Sequence, residues 1–366
     1  MKIVADAGIP YIKGRIEAYG EVTYVPTEEI DVAAVKDADI LFVRTPTKCR
    51  PALLEGSRCR FIATASCGFD HIDTAYCAAH SVKWHNAPGC NARSVAQYIL
   101  ASLLLYTDAE GVEPAAITVG VVGVGHVGGA VADALQAAGF NLLLNDPPRA
   151  EAENPSGFVP LSEIEARCDV ITLHTPLIKE GKHPTRHLAD VAFFSRLRRR
   201  PLFINAARGG VADDRALLSA RRSGQIRGFI IDCWENEPSG IYLPLLDEAF
   251  VATPHIAGYS DDGKAVGSYM SLCDVAAFCG MPKPDMQYPP EPENPVIDLA
   301  GEKNPLLAAV LHSYDPRTDF ARLKGAPEAF EALRNNYPLR REFPAYKVVN
   351  APEKYAQVLK KLGFRL

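Results

Sequence analysis

The chain has 366 residues, 48% hydrophobic and 23% charged, with a formal net charge of −5. That fits an ordinary soluble globular protein of two or three domains and gives no global basic field for nucleic acid. Nine scattered cysteines, odd in number and without a C-x-x-C pair, argue against a disulfide framework or a metal site and for reduced thiols in a cytoplasm. No apolar run reaches the roughly 18 residues of a membrane span, and the opening MKIVADAGI reads as a strand rather than a signal peptide.

In chain order, residues 2–5, 22–25, 40–43, 61–65 and 82–85 read as strands, with helices over 11–19 and 30–35. Strands alternating with helices imply a parallel, doubly wound sheet whose ligands lie beyond the carboxyl ends of the strands. Arg44, Thr45, Lys48, Ser66 and Asn86 all follow such ends. Arg44 and Lys48 are the cations there best suited to a phosphate. Residues 94–106, SVAQYILASLLLY, form a long apolar helix leading out of this first domain.

The second domain opens on ITVGVVGVGHVGGAVADALQAAGFNLLLND, residues 117–146. A buried strand runs into Gly123, Gly125 and Gly128 in G-x-G-x-x-G spacing, His126 and Val127 open a helix, and Gly139 stops it. The first glycine makes the tight turn, the second lets the backbone approach a pyrophosphate, and the third packs helix on strand. The helix N-terminus offers free amides and a positive dipole end to the phosphates. Asp146 follows Gly123 by about twenty residues, where an acid accepts from the adenosine ribose and repels a 2′-phosphate, so NAD is expected rather than NADP. Arg149 nearby weakens that preference slightly.

Further strands at 170–173, 202–204, 229–232 and 251–253 end in His174-Thr175, Asn205-Ala206-Ala207-Arg208, Trp234-Glu235-Asn236-Glu237 and Pro254-His255. The basic run 196–200 reads as a solvated helix end. Arg208 can hold a carboxylate bidentately, His255 can exchange a proton near neutrality, and Glu237 can orient that imidazole and stabilise its charged form. Beside a nicotinamide these three suffice to oxidise a 2-hydroxy acid, with Asp232 reaching the carboxamide. Residues 263–279 form a second long helix that returns the chain to the first domain. The proline-rich stretch 281–295 marks a boundary, and a small strand-and-helix unit follows.

These motifs, VGVVGVGHVG with NDPP, HTPL, NAARGG, DCWENEP and TPHIAGYS, resemble those of the D-isomer-specific 2-hydroxyacid dehydrogenases. The resemblance implies a catalytic trio of Arg208, Glu237 and His255, and NAD contacts from Asp146, Thr175, Ala206, Ala207, Arg208, Asp232 and Gly258. VRTPTK, ATASCGFDHID, APGCNA and the carboxy-terminal extension are similar to a branch of the family that acts on a phosphorylated 2-hydroxy acid. That likeness implies substrate contacts at Thr45, Ser66 and Tyr259 and a homodimer formed through the extension. The pattern departs at Cys67, Phe69, His126 and Ala207.

The expectation is therefore two doubly wound parallel-sheet domains of Rossmann and flavodoxin type plus a small α+β dimerisation domain. Residues 1–93 with 260–284 bind substrate, 94–259 bind NAD, and 285–366 dimerise. Two alternatives stand beside it: a dehydrogenase of another D-2-hydroxy acid, or an NAD-sensing regulatory dimer on the same fold.

Overall fold

A computed structural model describes residues 1–153 and 155–366. They divide into two compact units, Met1–Asn91 with Ser260–Pro290 and Ala92–Tyr259 with Glu291–Leu366.

The first unit holds five parallel strands, β1 (Lys2–Asp6), β2 (Glu21–Val25), β3 (Ile40–Val43), β4 (Phe61–Thr64) and β5 (Lys83–His85), in the order 2-1-3-4-5. Because side chains alternate along a strand, each face collects its own set. Val4, Leu41, Val43 and Ile62 pack with Val35, Leu53 and Leu54. Ile3, Ala5, Phe42 and Ala63 pack with Leu272, Val275 and Ala276 of the helix Asp261–Cys279. The returning helix thus completes a sandwich that residues 1–91 leave open on one side.

Two expected helices in this unit are shorter in the structure. Over 11–19 only Ile16–Tyr19 is helical, as a 3₁₀ turn, because Tyr11 (φ 61°) and Gly14 (φ 78°) take left-handed conformations that interrupt a right-handed helix. Over 30–35 the helix is Val32–Val35, with Asp31 accepting from the Ala34 amide at 2.9 Å as its cap.

The second unit holds β6 (Thr118–Val122), β7 (Asn141–Asn145), β8 (Val170–Leu173), β9 (Leu202–Asn205), β10 (Gly228–Ile231) and β11 (Val251–Ala252), all parallel in the order 11-10-9-8-6-7. The order reverses at β6, so the loops after β6 and β8 diverge there and open a crevice. The register aligns the strand ends. Val122 pairs with Asn145 and Leu173, Leu173 with Asn205, Asn205 with Ile231, and Ile231 with Ala252. Asp146, Gly123, His174, Ala206, Asp232 and Thr253 consequently emerge in a row along one edge.

One face of this sheet is covered by helices Ala92–Glu110 and His126–Ala137. Residues 291–366, within the segment 285–366 expected as a small dimerisation domain, contribute Ile297, Leu299, Leu306, Val310, Phe343 and Leu359 to that same core. They also form a two-stranded parallel pair, β12 (Val296–Asp298) with β13 (Lys347–Val349). The other face buries Ile164, Phe193, Phe194, Leu217 and Leu245. The run 196–200 follows the helix Val191–Arg196. Arg196 pairs with Glu165 at 2.7 Å and Arg199 with Asp169 at 2.8 Å.

Candidate active site

The glycines of the crevice are required by contact. Gly123 has φ 86°, and a Cβ there would meet Thr175 and the His174 carbonyl carbon at 2.8–2.9 Å. A Cβ on Gly128 would fall 1.9 Å from the Gly123 carbonyl oxygen, whereas Gly125 faces open space. The helix His126–Ala137 has no side-chain cap, so no side chain competes for its first amides. The Thr175 hydroxyl is buried without a hydrogen-bond partner, as is Nδ1 of His174. His174 is pushed down to about 3 by burial and stays neutral. An open second glycine, uncapped amides and an orphaned hydroxyl on one crevice fit a dinucleotide.

Asp146 accepts from the Val124 amide at 2.8 Å and the Arg149 amide at 3.1 Å, one on each carboxylate oxygen, with acceptor capacity left on both. Arg149 is held by Glu153 (2.7 Å) and by the Val124 carbonyl, with its guanidinium over the Phe158 ring.

At the other end of the row, Glu237 and His255 are in direct contact, Oε1 to Nδ1. Glu237 Oε2 also accepts from the Trp234 amide at 3.0 Å. Burial opposes the charged imidazole, while Cys233 and Glu237 raise it, and the net effect holds His255 well above its ordinary value. The Cys233 thiol is itself pushed up by burial and is uncharged near neutrality, so Glu237 is the effective cause. Burial likewise opposes the Glu237 carboxylate, but His255 and the Trp234 amide bring it below the usual range.

Arg208 stands on extended backbone before Gly209 and donates from one terminal nitrogen to the Ala207 carbonyl at 2.8 Å. A Cβ on Gly209 would lie 1.9 Å from the Trp234 carbonyl oxygen, so the Arg208 loop rests directly on the loop that carries Glu237. Ala206 and Ala207 are buried beneath it. Asp232 is buried and accepts from Thr253 Oγ1 (2.7 Å), the Ile256 amide (2.7 Å) and the Ala257 amide (3.0 Å). Gly258 and Tyr259 follow. The Tyr259 ring lies edge-on to Tyr337 and 5.5 Å from the Arg334 guanidinium.

In the first unit, Ser66 Oγ donates to the Gly68 carbonyl and bonds Thr64 Oγ1 at 2.8 Å, which reaches His71 Nε2 at 3.0 Å. Burial, with Lys48 nearby, lowers His71 to about 4 and keeps it neutral. Thr45 is exposed, and its carbonyl accepts from Lys48 Nζ at 3.1 Å. Arg44, expected with Lys48 to face a phosphate, is held by an ion pair at its strand end. Its guanidinium grips the fully buried Asp6 carboxylate through two bonds, at 3.1 and 3.2 Å, and Thr27 Oγ1 at 2.6 Å.

Sequence patterns gave no sign of Arg334 and Arg340 beside the His255 loop. Each depends on a partner brought close by the fold. Thr64 and His71, behind Ser66, had a signal in the ATASCGFDHID motif, as did Trp234 in the DCWENEP motif. Its indole donates to the Thr253 carbonyl at 2.9 Å.

Residues 101–257 match the family model for the D-isomer specific 2-hydroxyacid dehydrogenase NAD binding domain. Residues 290–363 match a domain of unknown function, DUF3410. Erythronate-4-phosphate dehydrogenase of Porphyromonas gingivalis is 44% identical over the full length of both chains. The enzyme of that name from Bacteroides fragilis is 47% identical over 95% of this chain and 99% of its own. The chain belongs to the erythronate-4-phosphate dehydrogenases. Among solved structures, D-lactate dehydrogenase from Aquifex aeolicus, complexed with NAD and lactic acid, is similar at 25% identity with a TM-score of 0.62, over 76% of this chain and 96% of the other.

As an erythronate-4-phosphate dehydrogenase family member, the chain is an NAD-dependent oxidoreductase of D-2-hydroxy acids. Among the described residues no helix is long and apolar enough to cross a membrane. No cluster of three His, Cys, Asp or Glu among them could hold a metal ion.

Proposed function

We propose that this chain oxidises 4-phospho-D-erythronate at C2 to (3R)-3-hydroxy-2-oxo-4-phosphooxybutanoate in pyridoxal 5′-phosphate (vitamin B6) biosynthesis, acting in the cytoplasm. The observation that carries this reading is the Glu237–His255 pair at the end of the strand row, in a chain 44–47% identical to enzymes of that name. Gly123, Gly125, His126, Val127, Gly128, Asp146, Thr175, Ala206, Ala207, Asp232 and Gly258 hold the dinucleotide. Bound NAD supplies the hydride acceptor. Arg208 fixes the substrate carboxylate and the C2 oxygen through its planar fork. His255 takes the C2 hydroxyl proton as the C2–H bond breaks, and Glu237 steadies the imidazolium that forms. Thr45, Ser66 and Tyr259 are the proposed substrate contacts, and Arg44 and Lys48 the cations for the phosphate.

Residues 285–366 serve as the dimerisation domain. Val296 and Leu339 leave apolar surface exposed on that segment, at 52% and 46%. Sedimentation of the full chain should give twice the 39.7 kDa chain mass; a monomer at micromolar concentration would remove this part of the proposal.

A second reading, a D-2-hydroxy acid without phosphate, draws on the Asp6–Arg44 ion pair, which offsets the charge of one of the two proposed phosphate cations. Rates of NADH formation on a panel of phosphorylated and unphosphorylated acids decide between them. We expect kcat/KM for 4-phospho-D-erythronate to exceed that for D-erythronate by at least about a hundredfold, as a lost charged contact implies. Preference for the unphosphorylated acid would overturn the assignment, and no turnover on any acid would favour a sensing role.

A further inference from the structure

His255 has φ 55°, a left-handed conformation that a residue with a Cβ rarely holds unless its surroundings enforce it. The two residues that follow it are held through both their amides and their carbonyls. The Ile256 and Ala257 amides donate to Asp232, at 2.7 and 3.0 Å. Their carbonyls accept from one terminal nitrogen of Arg340, at 3.2 and 3.3 Å.

Arg340 is only 4% exposed and comes from the carboxy-terminal segment. Its Nε donates to Gln97 Oε1 at 3.0 Å and its other terminal nitrogen to the Ser94 carbonyl at 2.9 Å, both on the helix Ala92–Glu110. The guanidinium lies 3.6 Å from the centre of the Tyr314 ring. Gln97 is fixed in turn by Ser313 Oγ at 3.1 Å and the Arg341 carbonyl at 3.0 Å.

We propose that Arg340 is a positioning residue for proton transfer, its buried fork clamping the Ile256 and Ala257 carbonyls so that His255 keeps its left-handed backbone and its contact with Glu237. A carboxylate that takes the amides of Ile256 and Ala257 and a guanidinium that takes their carbonyls together leave the loop one conformation. A lysine offers a point charge and cannot reach the same acceptors with fixed geometry. The proposal rests on His255 being the proton-transfer group.

Arg340→Lys tests it, since the charge stays and the fork is lost. Asp232, Cys233 and Glu237 are the titratable groups around the imidazole, and Arg334 acts on Glu237; none is altered. We expect kcat for oxidation to fall about tenfold or more, as for a misplaced general base, with the NAD Kd within about twofold of the unaltered enzyme. The rise of kcat/KM with pH should move to lower pH as the imidazole slips from Glu237. Unchanged kcat and pH profile would overturn the proposal. So would a fall in kcat matched by lost NAD affinity with the profile unmoved. If Arg340→Lys does not fold, Tyr314→Leu, which removes the ring beneath the guanidinium, should show the same two changes to a smaller degree, and their absence would equally overturn it. His255→Gln separates the two layers: retained turnover there would reject the underlying role of His255, not the clamp alone.

Discussion

At the scale of single residues, the Glu237–His255 pair sets the pH response. Oxidation needs a neutral imidazole to accept the hydroxyl proton, and Glu237 keeps His255 protonated above the ordinary value of 6.5. The kcat/KM for oxidation should therefore climb through a limb above pH 6.5, while reduction of the 2-oxo acid should decline over the same range. Glu237→Gln should bring both limbs down toward 6.5 and lower kcat by roughly 10²-fold or more. A pH–rate profile that Glu237→Gln leaves unmoved would argue that the pair has no part in proton transfer. The same contact links to stability. The raised His255 contributes fully below 6.5, and its contribution is lost as pH rises through the folded value. The lowered Glu237 contributes above 4.5, and its contribution is lost as pH falls through its own. The pair thus stabilises most between about 4.5 and 6.5 and loses that contribution on either side.

At the scale of elements, Gly125 and Gly128 separate folding from binding. Gly128→Ala forces a methyl onto the Gly123 carbonyl, so melting should drop by the equivalent of about 1–3 kcal/mol along with NAD affinity. Gly125→Ala has room in the protein and should melt as before, yet weaken NAD tenfold or more by holding the pyrophosphate off the backbone. Calorimetry with NAD titration checks both. Equal melting losses in the two variants would contradict this division.

This strand–turn–helix was legible in the sequence because each of its constraints is local. So were the strand ends that carry Arg208, Glu237 and His255, since apolar runs stop there and polar motifs begin. The helix expected over 11–19 was misread for a physical reason. Ile12, Ile16 and Tyr19 are indeed buried, but irregular backbone buries them as well as a helix does. Arg44 and Arg340 were illegible in another way. Asp6 lies 38 positions from Arg44, and Gln97 lies 243 from Arg340, so no window of sequence contains either contact.

At the scale of the whole chain, residues 291–366 are part of the core of the nucleotide-binding unit and not an appendage. Ile297, Leu299, Leu306, Val310, Phe343 and Leu359 are each at most 6% exposed. Burying such a side chain contributes about 1.5–3 kcal/mol, so half a dozen rival the roughly 5–15 kcal/mol that hold a typical domain together. A chain ending at residue 290 should lose cooperative melting, bind a hydrophobic dye and fail to bind NAD. A truncated chain that melts and binds NAD normally would show the segment to be dispensable.

Because β12, β13 and the residues around Arg340 follow the six-stranded sheet in the chain, the second unit closes only after they have been made. While the ribosome is still making residues 291–366, the six-stranded sheet has already emerged with one flank uncovered. The nascent enzyme passes through that interval with its histidine loop unclamped, a period in which chaperones have most reason to attend it.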